Sequence, residues 1–142
     1  MSIEKNKAVV RRDVEEVFNK GNTAIVDEII GSDWVFHGPG GLEFKGQEGF
    51  KQIVATLRNA FPDLHMAIED MVAEGDMVAV RYIMRGTFKG NLMGMAPTLN
   101  QFTMPSALFI RFKEGKAVET REIYDQLTLF QQLGVRPPAG AA

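Results

Sequence analysis

Helical spacing in the first part of the chain, followed by two long β-hairpins with no helix between their strands, predicts an α+β fold for these 142 residues. The turns support it: Glu74-Gly75-Asp76 and Glu114-Gly115 each stand between two strand-like runs. Helices and strands are segregated rather than alternating. The sheet should therefore be mostly antiparallel and strongly curved, with three N-terminal helices packed on it. A twisted sheet curled over helices leaves a cone-shaped cavity between its concave face and the helical layer, a place for a ligand if the lining does not fill it.

Val10, Val14, Val17 and Phe18 recur at helical spacing, which predicts an amphipathic helix from about Ile3 to Lys20, stopped at Gly21. Asn22 or Thr23 can cap a short second helix whose apolar side is Ile25, Val26, Ile29 and Ile30. Asp33 to His37 reads as a short strand running into the turn Gly38-Pro39-Gly40-Gly41. Phe50, Ile53, Val54, Leu57 and Phe61 mark a third helix ended by Pro62. Leu64–Ala73 and Met77–Phe88 form the first hairpin, and Gln101–Phe112 and Lys116–Asp125 the second. Between them, Lys89–Asn100 is a loop in which Leu92, Met93 and Met95 could form an adaptable lid over an apolar ligand. From Leu127 the period is helical again, with Phe130 and Leu133 three apart. One domain over residues 1–136 and a disordered tail over 137–142 complete the expectation.

Composition narrows the function classes. Apolar residues make up 45% and charged residues 24%, as in ordinary soluble domains. The net charge of −2 comes from interspersed acids and bases, so no nucleic-acid partner is expected. The absence of cysteine rules out disulfides and zinc–thiolate sites and fits a reducing compartment, the cytoplasm by default. No apolar run is long enough to span a membrane, and two histidines far apart make a poor metal site, so no metal is expected.

The last strand and its exit carry the chemistry. If Glu114-Gly115 is a two-residue turn, Lys113 pairs with Lys116 and Phe112 with Ala117. Continuing that register pairs Ile110 with Glu119, Leu108 with Arg121, Ser106 with Ile123 and Met104 with Asp125, all on one largely apolar face. Phe109, Arg111, Thr120, Glu122 and Tyr124 fall on the other, mixed face, suited to solvent or a dimer partner. A slip of one residue would exchange the faces. On this register Asp125 points into the cavity, where partial burial would lift its pKa into a range useful for acid–base catalysis. It could equally cap the helix that follows. His37, at the end of a strand before a glycine-rich turn, could be a base, a donor to a substrate oxygen, or a satisfied structural histidine. In the first hairpin Arg81 falls opposite Asp70 and Tyr82 opposite Glu69, and only one of these pairs can face the cavity.

Three stretches carry a resemblance. They are Phe61-Pro-Asp-Leu64, the segment Gly86-Thr-Phe-Lys-Gly-Asn-Leu-Met-Gly-Met-Ala-Pro-Thr98, and Glu119-x-x-Glu-x-x-Asp-Gln-Leu-x-Leu-x-Gln-Gln-Leu-Gly134. In these the chain resembles the SnoaL-like polyketide cyclases (ester cyclases), from the first helix to Gly134. The resemblance implies the cystatin-like α+β barrel of the nuclear transport factor 2 superfamily, usually a homodimer packed through its sheets. It also implies an intramolecular aldol cyclisation of a small hydrophobic carbonyl compound, without metal or organic cofactor. The family's catalytic aspartate falls on Asp125, with His37 as a second catalytic group. Arg121, Met104, Ser106, Leu108, Tyr82 and Ile123 would then contact substrate. Arg121 stands where the family commonly has tryptophan and would polarise the pocket; Thr128 stands where glycine is usual, and Ala96 precedes Pro97 in the loop. The alternative is a ligand-binding or dimerisation module of the same fold that does no chemistry.

Overall fold

Four helices lie on one face of a six-stranded sheet in the computed structural model, which describes residues 2–136. The tail expected to be disordered, 137–142, lies outside the described residues. Helix α1 (Ile3–Arg12) starts at Ser2, whose hydroxyl accepts the Lys5 N–H at 3.1 Å, and places Arg11 and Arg12 at its negative end. A single helix to Lys20 was expected. Instead Asp13–Phe18 continue the rod as a π-helix, in which the Asn19 N–H reaches back to the Val14 carbonyl at 3.0 Å. The rod ends at Gly21, at a φ of +76°. A 3₁₀ turn, Thr23–Ile25, leads into the short α2 (Val26–Ile29). Helix α3 (Gly46–Ala60) buries Phe50 and Val54 beneath the sheet, and α4 (Gln126–Leu133) closes the described chain.

The strands are β1 (Ile30–His37), β2 (Glu43–Lys45), β3 (His65–Glu74), β4 (Met77–Thr87), β5 (Gln101–Lys113) and β6 (Lys116–Tyr124). Both long hairpins end within one residue of the expected positions. The spatial order is β2-β1-β6-β5-β4-β3, antiparallel except for the parallel pair β1–β6. The edge strands β2 and β3 do not meet, so the expected barrel is an open, mixed sheet curled over the helices.

Two single-residue irregularities set the faces of this sheet. The second hairpin begins as the sequence suggests, with Lys113 opposite Lys116 and Phe112 opposite Ala117. Val118 is then unpaired: Arg111 lies opposite Glu119, Ile110 opposite Thr120 and Leu108 opposite Glu122. An extra residue turns every later side chain of that strand to the other face. Strand β5 keeps its predicted inward set, with Met104, Ser106, Ile110 and Phe112 buried. On β6, however, Thr120, Glu122 and Tyr124 face the helices, while Arg121 and Ile123 face out. A second bulge, at Glu69, puts Tyr82 opposite Ile68, with Arg81 still opposite Asp70. Tyr82 is the inward member. Arg81 lies on the outer face, paired with the Asp70 carboxylate (Nε to Oδ2, 2.7 Å).

The core between the layers centres on Trp34. Its ring meets Phe50 edge-on at 5.0 Å, Phe50 meets Phe18 at 5.6 Å, and its Nε1–H donates to Thr120 Oγ1 at 3.0 Å. The loop after β4 is fastened to the end of α3, because the Lys89 and Gly90 N–H groups both donate to the Ala60 carbonyl, at 2.9 and 3.1 Å. Gly90 is required there, since a Cβ would sit 2.0 Å from the Asn59 carbonyl oxygen. Replacing Thr120 by Val leaves the Trp34 N–H buried without an acceptor and should cost about 1–3 kcal/mol in denaturant unfolding. Thr120→Ser keeps the acceptor and should lose much less.

Candidate active site

A cavity of about 170 Å³ lies between the concave face of the sheet and the helices. Its walls are largely aromatic and aliphatic: Phe36 from β1, Phe50, Ile53 and Leu57 from α3, Met84 from β4, and Leu108 and Ile110 from β5. Trp34 forms part of the wall without filling the space, Leu92 is buried in it, and Met93 and Leu42 line it while remaining largely exposed, which places them at the rim. The polar groups in the lining are few: Asp13, Thr56, Tyr82, Thr120, Glu122, Tyr124 and Gln126. An apolar hollow with a small set of inward polar groups is the ordinary form of a small-molecule site.

Glu122 and Tyr82 form its polar centre. The bulge at Val118 aims Glu122 inward from β6, and the one at Glu69 sets the pairing of Tyr82 on β4. Across the intervening β5, the Tyr82 hydroxyl donates to Glu122 Oε2. Burial raises the Glu122 pKa above the ordinary carboxylate range, and the Tyr82 hydrogen bond pulls the other way. Burial, followed by the charge of Glu122, raises the Tyr82 phenol well above its usual value. The same two causes push Tyr124 up to about 12. Both phenols therefore remain donors at neutral pH, while Glu122 can gain and lose a proton nearer neutrality than a free carboxylate can. Ser106 lies between Tyr82 and Tyr124 in the ladder, with its Oγ buried beside the Tyr82 hydroxyl.

The expected site residues divide. Tyr82 and Leu108 line the cavity; Met104 and Ser106 are buried on the same face but outside its lining. Asp125 does not point inward: it is exposed and caps α4, accepting the Thr128 N–H at 3.0 Å and the Thr128 hydroxyl at 2.6 Å. These bonds hold its pKa below the ordinary value. Arg121 and Ile123 lie on the outer face, with Ile123 64% exposed, so the arginine does not polarise the pocket. His37 also faces outward, because Phe36 takes the inward position on β1. Its ring nitrogens lie 3.6 Å from Glu43 and 3.9 Å from Glu119. The bulge accounts for the three outward positions on and after β6, and strand alternation for His37.

Glu122, Tyr124 and Asp13 were not among the expected site residues. Glu122 belongs to the Glu119-x-x-Glu block, but an unbroken register assigns it to the outer face. Asp13 had a weak signal, a charge interrupting the stripe Val10, Val14 and Val17. It opens the π-helix and lines the cavity from the helical side.

The sequence model of the SnoaL-like polyketide cyclases matches residues 8–133. The chain belongs to this family. It is similar to the aklanonic acid methyl ester cyclase DnrD of Streptomyces peucetius, 33% identical over 131 residues covering 89% of this chain and 88% of DnrD. It is also similar to the nogalonic acid methyl ester cyclase of Streptomyces nogalater, 31% identical over 121 residues covering 82% and 89%. Among solved structures, IdmH of Streptomyces antibioticus superposes with a TM-score of 0.78 at 32% identity, over 92% of this chain and 99% of IdmH. A SnoaL-like protein from Jannaschia sp. CCS1 reaches 0.87 over 96% and 98%, and at 22% identity shows the shared fold. Like these, the SnoaL-like chain described here is an α+β domain, and no helix among its described residues is long and apolar enough to cross a membrane.

The hydrogen bond between Tyr82 and Glu122 can be tested directly. In Tyr82→Phe the carboxylate loses its donor, so the Glu122 pKa should rise further, read by carboxyl ¹³C NMR. The variant should also lose about 1.5–3 kcal/mol of stability where Glu122 is ionised, and less at a pH low enough to protonate it.

Proposed function

We propose that this SnoaL-like protein is an acid–base cyclase that needs neither metal nor organic cofactor, with Glu122 as the base. The observation that carries this reading is a part-buried carboxyl group on the wall of an apolar cavity, its pKa raised by desolvation and its geometry fixed by Tyr82. The substrate is a small hydrophobic carbonyl compound, as the names of the cyclase relatives suggest.

In the proposed reaction Glu122 takes a proton from a carbon next to a carbonyl group. The C–H electron pair moves into the enolate and onto oxygen. The enolate carbon then attacks a second carbonyl of the same molecule, forming the ring C–C bond. The alkoxide left on that carbonyl takes this proton back from Glu122, which restores the carboxylate and completes the cycle. The apolar walls exclude water, which strengthens every charge interaction at the reacting atoms and shields the enolate from stray protonation. Tyr82, neutral at working pH, donates a hydrogen bond to the base, and Tyr124, also neutral, keeps its hydroxyl on the same wall.

With aklanonic acid methyl ester as the first substrate tried, Glu122→Gln should lower turnover by roughly two orders of magnitude or more while the fold is retained. Asp125→Asn should keep most of the activity. An active Glu122→Gln protein would remove the proposal. The activity of the wild type should rise with pH through a pKa above that of a free glutamate.

The outer sheet face supports a homodimer. Val72, Phe109 and Ile123 are exposed there at 65, 40 and 64%. Apolar side chains in that number on one sheet face suit a second copy of the chain. Light scattering should give a dimer mass for the wild type and a smaller mass for Ile123→Asp.

A further inference from the structure

We propose that Asp13 is a hydrogen-bond donor to an oxygen of the bound compound, placed on the helical wall of the cavity across from the sheet that carries Glu122. The inference takes its chemical meaning from Glu122 acting as base, but its own content is a binding contact.

Three observations carry it. Asp13 lines the cavity, and its Oδ1 is shielded from solvent with no hydrogen-bond partner. Buried polar atoms are nearly always paired, so a carboxyl group on a cavity wall that leaves one oxygen unpaired still has hydrogen-bonding capacity to offer. The backbone beneath it is irregular: Asp13 opens the π-helix, whose widened turn leaves Asp13 and Val14 both on the cavity wall. Such turns are frequent at functional sites. Among the described residues no cation lines the cavity, and Arg58 of α3 is engaged at the far end of the π-helix, where it donates to the Phe18 and Asn19 carbonyls at 2.8 and 3.1 Å. The elements packed against this turn present Ile29 from α2, Ile53, Thr56 and Leu57 from α3, and Met66 from β3 to the cavity, none of them ionisable. The ionisable groups that share the lining, Tyr82, Glu122 and Tyr124, belong to the sheet and bring no positive charge. Burial accordingly pushes the Asp13 carboxyl up to about 8, so at neutral pH it keeps its proton and acts as an acid O–H.

This placement defines the ligand further. The compound must present an acceptor oxygen, of a ketone, ester or enol, to the helical wall while its acidic C–H faces Glu122. When Glu122 removes that proton, the electron pair moves onto a carbonyl oxygen. The Asp13 O–H is positioned to share its proton with that oxygen, and no net transfer from Asp13 is required.

The test uses a matched pair of small probes, the ketone 1-tetralone and its hydrocarbon counterpart tetralin, with binding measured by calorimetry on the full chain. The wild type should prefer the ketone by roughly tenfold. Asp13→Asn, which keeps a donor at that point, should retain the preference, and Asp13→Leu should lose it while binding tetralin at least as well. Absence of a ketone preference in the wild type, or its persistence in Asp13→Leu, overturns the proposal. Stability gives an independent readout. A folded-state pKa raised by burial makes the wild type lose stability as pH climbs from the free-aspartate range through 8, whereas Asp13→Asn should not follow it. Parallel pH curves for the two proteins would show Asp13 to be solvated and would also overturn the inference. Glu122→Gln should keep the ketone preference, so failure of the base assignment and failure of this one are separable.

Discussion

Between the Phe112–Ala117 and Arg111–Glu119 pairs, β6 carries one residue more than its partner, and every side chain beyond that point is turned through to the opposite face. Most of the chemistry described above follows from this constraint. It places Thr120 where it can accept from Trp34, sends Glu122 and Tyr124 into the cavity, and leaves Asp125 outside to begin α4. The device recurs. Glu69 is the extra residue that fixes the pairing of β3 with Tyr82, and the π-turn at Asp13 is its helical counterpart. The π-turn lines the hollow through Asp13 and Val14, while the bulges lie outside it and bear on the strands that bring Glu122 and Tyr82 to its wall. Regular strands and helices can build its walls, but these local departures from regularity decide which polar groups reach it.

Placing a carboxylate among aromatic rings is costly unless a donor meets it. The Tyr82 hydroxyl meets one oxygen of Glu122, which lowers that cost without abolishing it. The remaining penalty is what holds the Glu122 pKa above the ordinary carboxylate value. Asp13 has no comparable donor, and burial alone pushes its carboxyl up to about 8. Two carboxyl groups in one cavity thus sit in different electrostatic surroundings, the arrangement that lets one side chain take protons and another hold them.

Much of the architecture was legible in the residue pattern. Period and turn chemistry placed the long helices and both hairpins, and alternation gave the correct inward face of β5. The family resemblance carried over most of the chain. The inward face of β6 was not legible, because alternation has meaning only within an unbroken register, and the extra residue at Val118 leaves no mark in hydrophobicity. The π-turn was hidden for a related reason: Val10, Val14, Val17 and Phe18 satisfy ordinary helical spacing. Strand β2 is three residues long, too short for a period to show. The choice between Arg81 and Tyr82, open in the sequence, follows from the alternation of β4, which buries Val78, Val80, Tyr82 and Met84 on one face and leaves Arg81 on the other. Once the register breaks, a motif alone cannot say which of two nearby acids, Glu122 or Asp125, faces inward.

Trp34, the sole tryptophan of the chain, stands in the cavity wall with its indole nitrogen tied to the strand that carries Glu122. The protein thereby contains its own optical gauge. Light absorbed by that one chromophore reports the polarity and occupancy of the hollow from within, with no label attached and no second indole to blur the signal.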